Sequence, residues 1–231
     1  MKRIVFAMMA VAVLTSCKFD VTKTVTVEST AEEPRFLKGF ERIQLMGSLD
    51  VKYAQADSFS VRVHAPKDVI KKVETTVENN TLKVGMKRGS SFIHIGGASS
   101  DGVTVYVTSP DFLGISLMGS GDFMCVRPLD TDTLSIDLKG SGDIYFKDVI
   151  CDRVNVSVIG SGDVSVNTVK TQQARLEVIG SGDIEMGFDN SGEVDAQVKG
   201  SGDIELKGTV RKMNQRRFGS GDIDTEELIV R

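Results

Sequence analysis

Aspartate is the most regularly placed titratable residue in the chain. Asp122, Asp143, Asp163, Asp183, Asp203 and Asp222 each close a Gly-Ser-Gly-Asp tetrapeptide. If successive units stack, the six carboxylates form one column. Glu185, Glu205 and Asp224 would then run beside its C-terminal half. Carboxylates lined up at such corners suit Ca²⁺, which takes about six to eight oxygen ligands. The candidate ligands are Asp143, Asp163, Asp183 and Asp203. The competing reading is structural, with each Asp capping its own turn. Adjacent carboxylates about 5 Å apart in water repel by only about 0.8 kcal/mol before salt screening, so the column requires no cation. The chain also lacks the Gly-Gly-x-Gly-x-Asp repeat of calcium-binding β-rolls. The structural reading is favoured, and no metal or other cofactor is expected.

Other reactive groups are sparse. His64 and His94 are the only histidines, and neither has Cys or acidic neighbours at ligand spacing. Lys139 and Lys199 share a place in the repeat but lie three units apart, roughly 14 Å. A polysaccharide lyase needs its bases and cations closer together. Paired acids for hydrolysis could be drawn from the column, but any acidic ladder offers such pairs. A sugar platform needs exposed aromatics. The chain has three Tyr and no Trp, and most Phe fall where a core is expected. No catalytic residue is assigned. Cys125 and Cys151 sit at different places in their units, about 16 Å apart along the chain direction, which is beyond disulfide reach. They read as two separate buried thiols.

The elements that carry these residues follow from the repeat. Gly-Ser-Gly-Asp occurs at 119–122, 140–143, 160–163, 180–183, 200–203 and 219–222. A period near 20 residues reads as a solenoid, whose units bury a core only by stacking. Before each motif, Ile115, Ile136, Val156, Leu176 and Ala196 recur at one place, and Leu117, Leu138, Val158, Val178 and Val198 two residues later. Polar residues stand between them. After the motif, Phe123, Ile144, Val164, Ile184, Ile204 and Ile223 begin a second alternation. Period-2 patterning on both sides predicts strand, corner, strand. The glycine pairs Gly119 and Gly121, Gly140 and Gly142, Gly160 and Gly162, Gly180 and Gly182, Gly200 and Gly202, and Gly219 and Gly221 allow the chain to corner. Parallel crossovers are nearly always right-handed. The predicted fold is therefore an all-β, right-handed parallel β-helix of about 20 residues per coil, with a third short strand near Val149 or Val169. In the last unit Gln215 and Arg217 take apolar places, as in a capping coil. Glu226 and Glu227 would help to blunt its open edge.

Ile43 to Val51 matches Ile115 to Phe123 and makes Gly47 a degenerate seventh copy. The 72-residue spacing from Gly47 to Gly119 holds alternating runs at 58–65, 70–77, 81–87 and 102–108, with a hairpin turn at Glu78-Asn79-Asn80. This is read as a strand-rich insertion that broadens or caps the first coils. Residues 88–101 form a loop with an apolar centre at Phe92, Ile93 and Ile95. It serves either as a contact surface or as a folded-back cap.

At the N-terminus Lys2 and Arg3 precede an apolar run, Ile4 to Val13, that is too short to span a bilayer. The run ends in Leu14-Thr15-Ser16-Cys17, which resembles the lipobox of bacterial lipoproteins. It implies a signal peptide over 1–16, lipidation of Cys17, and a membrane partner reached through the acyl chains. Residues 17–35 read as a polar, Thr-rich tether. Residues 36–231 read as one domain, with inserted strands over 51–114 and regular coils over 115–231. The formal net charge of −4 offers no footprint for nucleic acid.

The lipobox, Gly-Phe-Glu-Arg-Ile at 39–43 and the repeated Gly-Ser-Gly-Asp together resemble the putative auto-transporter adhesin family with a head GIN domain, common in Bacteroidetes. The resemblance spans about 36 to 231. It implies a β-helical fold and an adhesive role, and brings no catalytic residues. The reading is a non-catalytic lipoprotein of the cell envelope, on the periplasmic face or the outside of the outer membrane. It would be adhesin-like, with a protein or glycan ligand that the sequence does not identify. The alternatives are a structural periplasmic lipoprotein without an external ligand and, third, a polysaccharide-acting enzyme.

Overall fold

The computed structural model describes residues 29–87 and 102–231. The chain is an all-β solenoid of parallel stacked strands. Before the corners, Arg42–Gly47, Gly114–Gly119, Thr133–Gly140, Arg153–Gly160 and Gln173–Gly180 stack in register. The C-terminal parts of the long strands Ile184–Gly200 and Ile204–Gly219 continue the same column. After the corners, Asp50–Gln55, Phe123–Cys125, Ile144–Ile150 and Val164–Lys170 form a second stack. It is extended by the N-terminal parts of the same two long strands and by Ile223–Asp224.

Alternation decides which side chains enter the core. Ile43, Ile115, Ile136, Val156, Leu176 and Ala196 share one inward column, and all are buried. The early coils are filled by an aromatic stack. Ring centroids lie 4.3 Å apart for Tyr53 and Phe112, 5.8 Å for Phe112 and Phe123, and 5.3 Å for Phe123 and Phe146. Later coils place Val166, Met186 and Leu206 beneath Phe146 in the same register, so this inward column is aromatic at one end and aliphatic at the other.

The third strand expected near Val149 and Val169 is not separate. Ile144–Ile150 and Val164–Lys170 run unbroken, because Val149 and Val169 stay inward and pair with each other. The strand divides in the coil that contains Pro128, between Phe123–Cys125 and Leu129–Asp130, and again in the last coil, between Ile223–Asp224 and Leu228–Val230. In the first of these, proline cannot donate to the ladder.

The insertion adds a further coil. Thr81–Met86 lies parallel to Arg42–Gly47, and Thr104–Ser109 lies parallel to Asp50–Gln55. Residues 87–103 join them where later coils have a four-residue corner. Most of that stretch, the loop 88–101 with His94, lies outside the described residues. Antiparallel strands finish this end. Val73–Glu78 pairs with Thr81–Met86 through Asn79 and Asn80, both at positive φ. Ser60–Pro66 pairs with Thr104–Ser109, and Thr30–Arg35 pairs with Ser60–Pro66.

Two boundaries change accordingly. The tether expected to reach residue 35 ends earlier, because Thr30–Arg35 is the outermost strand, and its Pro34 suits an edge. The insertion begins after Gln55, because Asp50–Gln55 belongs to the regular stack.

At the other end, residues 212–219 pair on one side only among the described residues. Gln215 and Arg217 lie opposite Ala196 and Val198 and are exposed, since no further strand covers them. Glu226 and Glu227 do not cover this edge. They stand in the turn before Leu228–Val230, which pairs with Gly208–Val210.

Candidate functional site: the corner ladder and the outward columns

The corners form one continuous hydrogen-bonded column. In each coil the Ser and second-Gly amides donate to the first-Gly carbonyl of the coil before; Ser141 and Gly142 reach the Gly119 carbonyl at 2.9 and 3.2 Å. The Asp carboxylate does not close its own turn. Its Oδ1 accepts the Asp amide of the next coil. The rungs are Asp122 to Asp143 at 3.0 Å, Asp143 to Asp163 at 3.1 Å, Asp163 to Asp183 at 2.9 Å, Asp183 to Asp203 at 2.7 Å and Asp203 to Asp222 at 2.7 Å. Asp50 adds an earlier rung, accepting from the Asp122 amide at 3.1 Å. The amide after each Asp returns the link, as from Ile144 to the Asp163 carbonyl at 2.9 Å. Among the described residues no corner amide stacks on Asp222. Its Oδ1 takes the Ile223 amide at 2.8 Å and pairs with Arg217. That pairing gives Arg217, in a column otherwise apolar, a structural role.

The glycines follow from the same stacking. A Cβ at Gly142 would lie 2.0 Å from the Gly121 carbonyl oxygen, and one at Gly162 would lie 2.1 Å from that of Gly142. Leu49 occupies the second-glycine position only in the Gly47 corner, which follows a unit without Gly-Ser-Gly-Asp.

The candidate calcium ligands Asp143, Asp163, Asp183 and Asp203 thus each have Oδ1 engaged by an amide. Among the described residues no group of three or more His, Cys, Asp or Glu is arranged to hold a metal ion. We expect the melting temperature to stay unchanged on adding Ca²⁺ or chelator; a rise of several degrees with Ca²⁺ would assign the column to the cation. Asp163→Ala should cost about 1 kcal/mol in urea unfolding, the size of one intramolecular hydrogen bond, while Asp163→Asn keeps an acceptor oxygen and should cost less. Equal losses would remove the ladder as the cause.

The remaining candidates do not converge. Cys125 and Cys151 are buried and unpaired. Burial pushes the Cys125 thiol up to about 11 and raises that of Cys151. The Cys151 Sγ donates to the Thr171 hydroxyl at 3.6 Å. His64 lies within Ser60–Pro66, opposite Glu32 and Thr104. Lys199 bridges Glu177 at 2.8 Å. Cys17 lies outside the described residues.

The sequence reading did not single out Tyr106, whereas Tyr145 falls at one of the outward places that the alternation gives. Tyr53 is buried, but Tyr106 and Tyr145 are half-buried on the outer face of the second stack. The signal was present: each stands between two inward residues of an alternating run. The Arg62 guanidinium lies 5.6 Å above the Tyr106 ring. Elsewhere Met46, Ile159, Ile179 and Phe218 form exposed apolar positions along the outward column beside the first glycines.

Solved structures of similar form are known. A "putative adhesin" from Bacteroides fragilis NCTC 9343 is 24% identical with a TM-score of 0.71, over 85% of this chain and 96% of that one. A "putative adhesin" from Parabacteroides merdae ATCC 43184 is 19% identical with a TM-score of 0.64, over 84% and 96%. A "putative lipid binding protein" from Parabacteroides distasonis ATCC 8503 is 21% identical with a TM-score of 0.58, over 84% and 95%. At these identities the likeness concerns the fold. No functionally curated protein matches the chain. The family model described as "Putative auto-transporter adhesin, head GIN domain" matches residues 39–168 and 160–231, nearly all of the solenoid, and the chain belongs to that family.

Proposed function

We propose that this chain is a lipid-anchored, non-catalytic module of the cell envelope that presents its solenoid faces for adhesion. Cys17 carries the acyl chains, and residues 18–29 link them to the outermost strand. The observation that carries the reading is the use made of the corner carboxylate. The most repeated polar group of the chain is bonded to the neighbouring coil's amide and serves the framework. What the solenoid then offers to a partner is its long outward columns. Membership of an adhesin family supports the same role. No helix among the described residues is long and apolar enough to cross a membrane, and a lipid on Cys17 would supply attachment.

The test is protease shaving of intact cells, blotted for this protein beside a periplasmic control. Loss of the protein with the control intact is the expected result. Protection until the outer membrane is breached would sink the adhesive reading in favour of a structural periplasmic role. In parallel, radiolabelled palmitate should enter the wild-type protein, and Cys17→Ser should abolish labelling. Labelling that survives the substitution would remove Cys17 as the anchor.

A further inference from the structure

The outer face of the second stack changes character along its length. One outward column reads Tyr106, Lys52, Met124, Tyr145, Ser165, Glu185, Glu205 and Asp224, from the inserted coil to the last. Its first half is aromatic, apolar and basic. Lys52 is exposed, Met124 is 40% exposed, and Arg62 stands over Tyr106. Its second half is acidic and indented. Asp163, Ser165, Asp183, Glu185, Asp203 and Glu205 line a shallow depression of about 290 Å³. Lys207 balances part of that charge by bridging Glu185 at 2.5 Å.

We propose that this face pairs two copies of the chain in an antiparallel, two-fold dimer. An axis along the strand direction turns one stack over against the other. Midway between Tyr145 and Ser165, it sets Tyr145 opposite the partner's Ser165, Met124 opposite the partner's Glu185, and Lys52 opposite the partner's Glu205. Each contact is made twice, as in any isologous interface. The aromatic and basic half of each copy then covers the acidic depression of the other. Charge selects this arrangement: parallel stacks would set Glu205 against Glu205 and Lys52 against Lys52. The corner aspartates run at the rim, with their Oδ1 atoms turned along the stack to amides. Eight rungs at a spacing of about 4.8 Å give a face about 34 Å long. Only a few residues of each strand contribute to its width, so the contact is at the small end of interface sizes and reversible. The pairing depends neither on the anchor nor on any external ligand.

The experiment is sedimentation velocity of the full chain in mild detergent, from about 5 to 500 µM protein, at low and high salt. A concentration-dependent dimer that weakens with salt is expected. Lys52→Glu alone and Glu205→Lys alone should each weaken it by about tenfold or more. An equimolar mixture of the two variants should restore association, because the heterodimer regains an opposite-charge pair at both contacts. Monomer at every concentration, association indifferent to the swaps, or a mixture no better than its components would each overturn the proposal. Met124→Cys with Glu185→Cys, three rungs and roughly 14 Å apart within one copy but opposite each other across the axis, gives an independent reading if a swap disturbs folding. Oxidation should yield a covalent dimer, and none forming would count equally against the arrangement.

Discussion

Gly162→Ala abolishes the cooperative unfolding transition of the solenoid, or lowers its stability by more than about 4 kcal/mol. The added Cβ would lie 2.1 Å from the Gly142 carbonyl oxygen, and 3.0 Å from other backbone of that corner. Backbone on both sides is held by amide bonds to its neighbours, so neither can yield without breaking rungs. Losses of this size come only from a few causes, and forced backbone displacement is one. Gly85→Ala is the control. Its nearest contact would be Met46 at 3.5 Å, ordinary van der Waals distance, so it should change stability by less than about 1 kcal/mol. Urea unfolding followed by far-ultraviolet circular dichroism compares the two. A Gly162→Ala chain that melts like the wild type would mean that coils separate more easily than this stacking allows.

Alkaline solution is the second large effect. Burial pushes Tyr53 up to about 12 and Cys125 up to about 11, and the unfolded chain titrates them near the ordinary values of 10.0 and 9.0. Below about pH 8 both states hold both protons, and these groups give full stability. As pH rises further the unfolded chain ionises first, so stability falls until the folded groups also titrate. At 1.36 kcal/mol for each unit, the two groups together remove about 5 kcal/mol by pH 12. Cys125→Ala should remove close to half of that fall, although its cavity costs something at neutral pH. Urea midpoints at pH 8, 10 and 11.5 provide the comparison. Parallel profiles for variant and wild type would show that the buried thiol does not drive the loss.

Much of the framework was legible because each residue repeats its neighbour's environment. Ile136, Val156 and Leu176 declare one inward column by spacing alone, and the structure buries all three. The destination of the aspartates was less legible. An acceptor oxygen at a corner can reach an amide in its own turn or one 20 residues away, and local spacing does not separate the two. The inserted coil was hidden for a related reason. Thr81–Met86 and Thr104–Ser109 join the stacks without a Gly-Ser-Gly-Asp between them, so only their pairing with Arg42–Gly47 and Asp50–Gln55 shows where they belong. Tyr106 was overlooked because it lies in the insertion, outside the Gly-Ser-Gly-Asp repeat, whereas Tyr145 stood at an outward place that the repeat declares. That the two tyrosines share one column needed the register to be followed coil by coil.

Leu49 has a bearing on how such chains change length over generations. Every interior corner receives the same bonds from the coil before and passes the same bonds to the coil after, so one 20-residue unit can be duplicated or lost there without altering either end. The ends are marked separately. A side chain at the second-glycine position is admissible only where no such corner precedes it, and Arg217 closes the ladder only where no corner follows. The gene can therefore lengthen or shorten its product by whole coils. The reach of the molecule becomes a heritable variable, and its first and last units remain fixed punctuation.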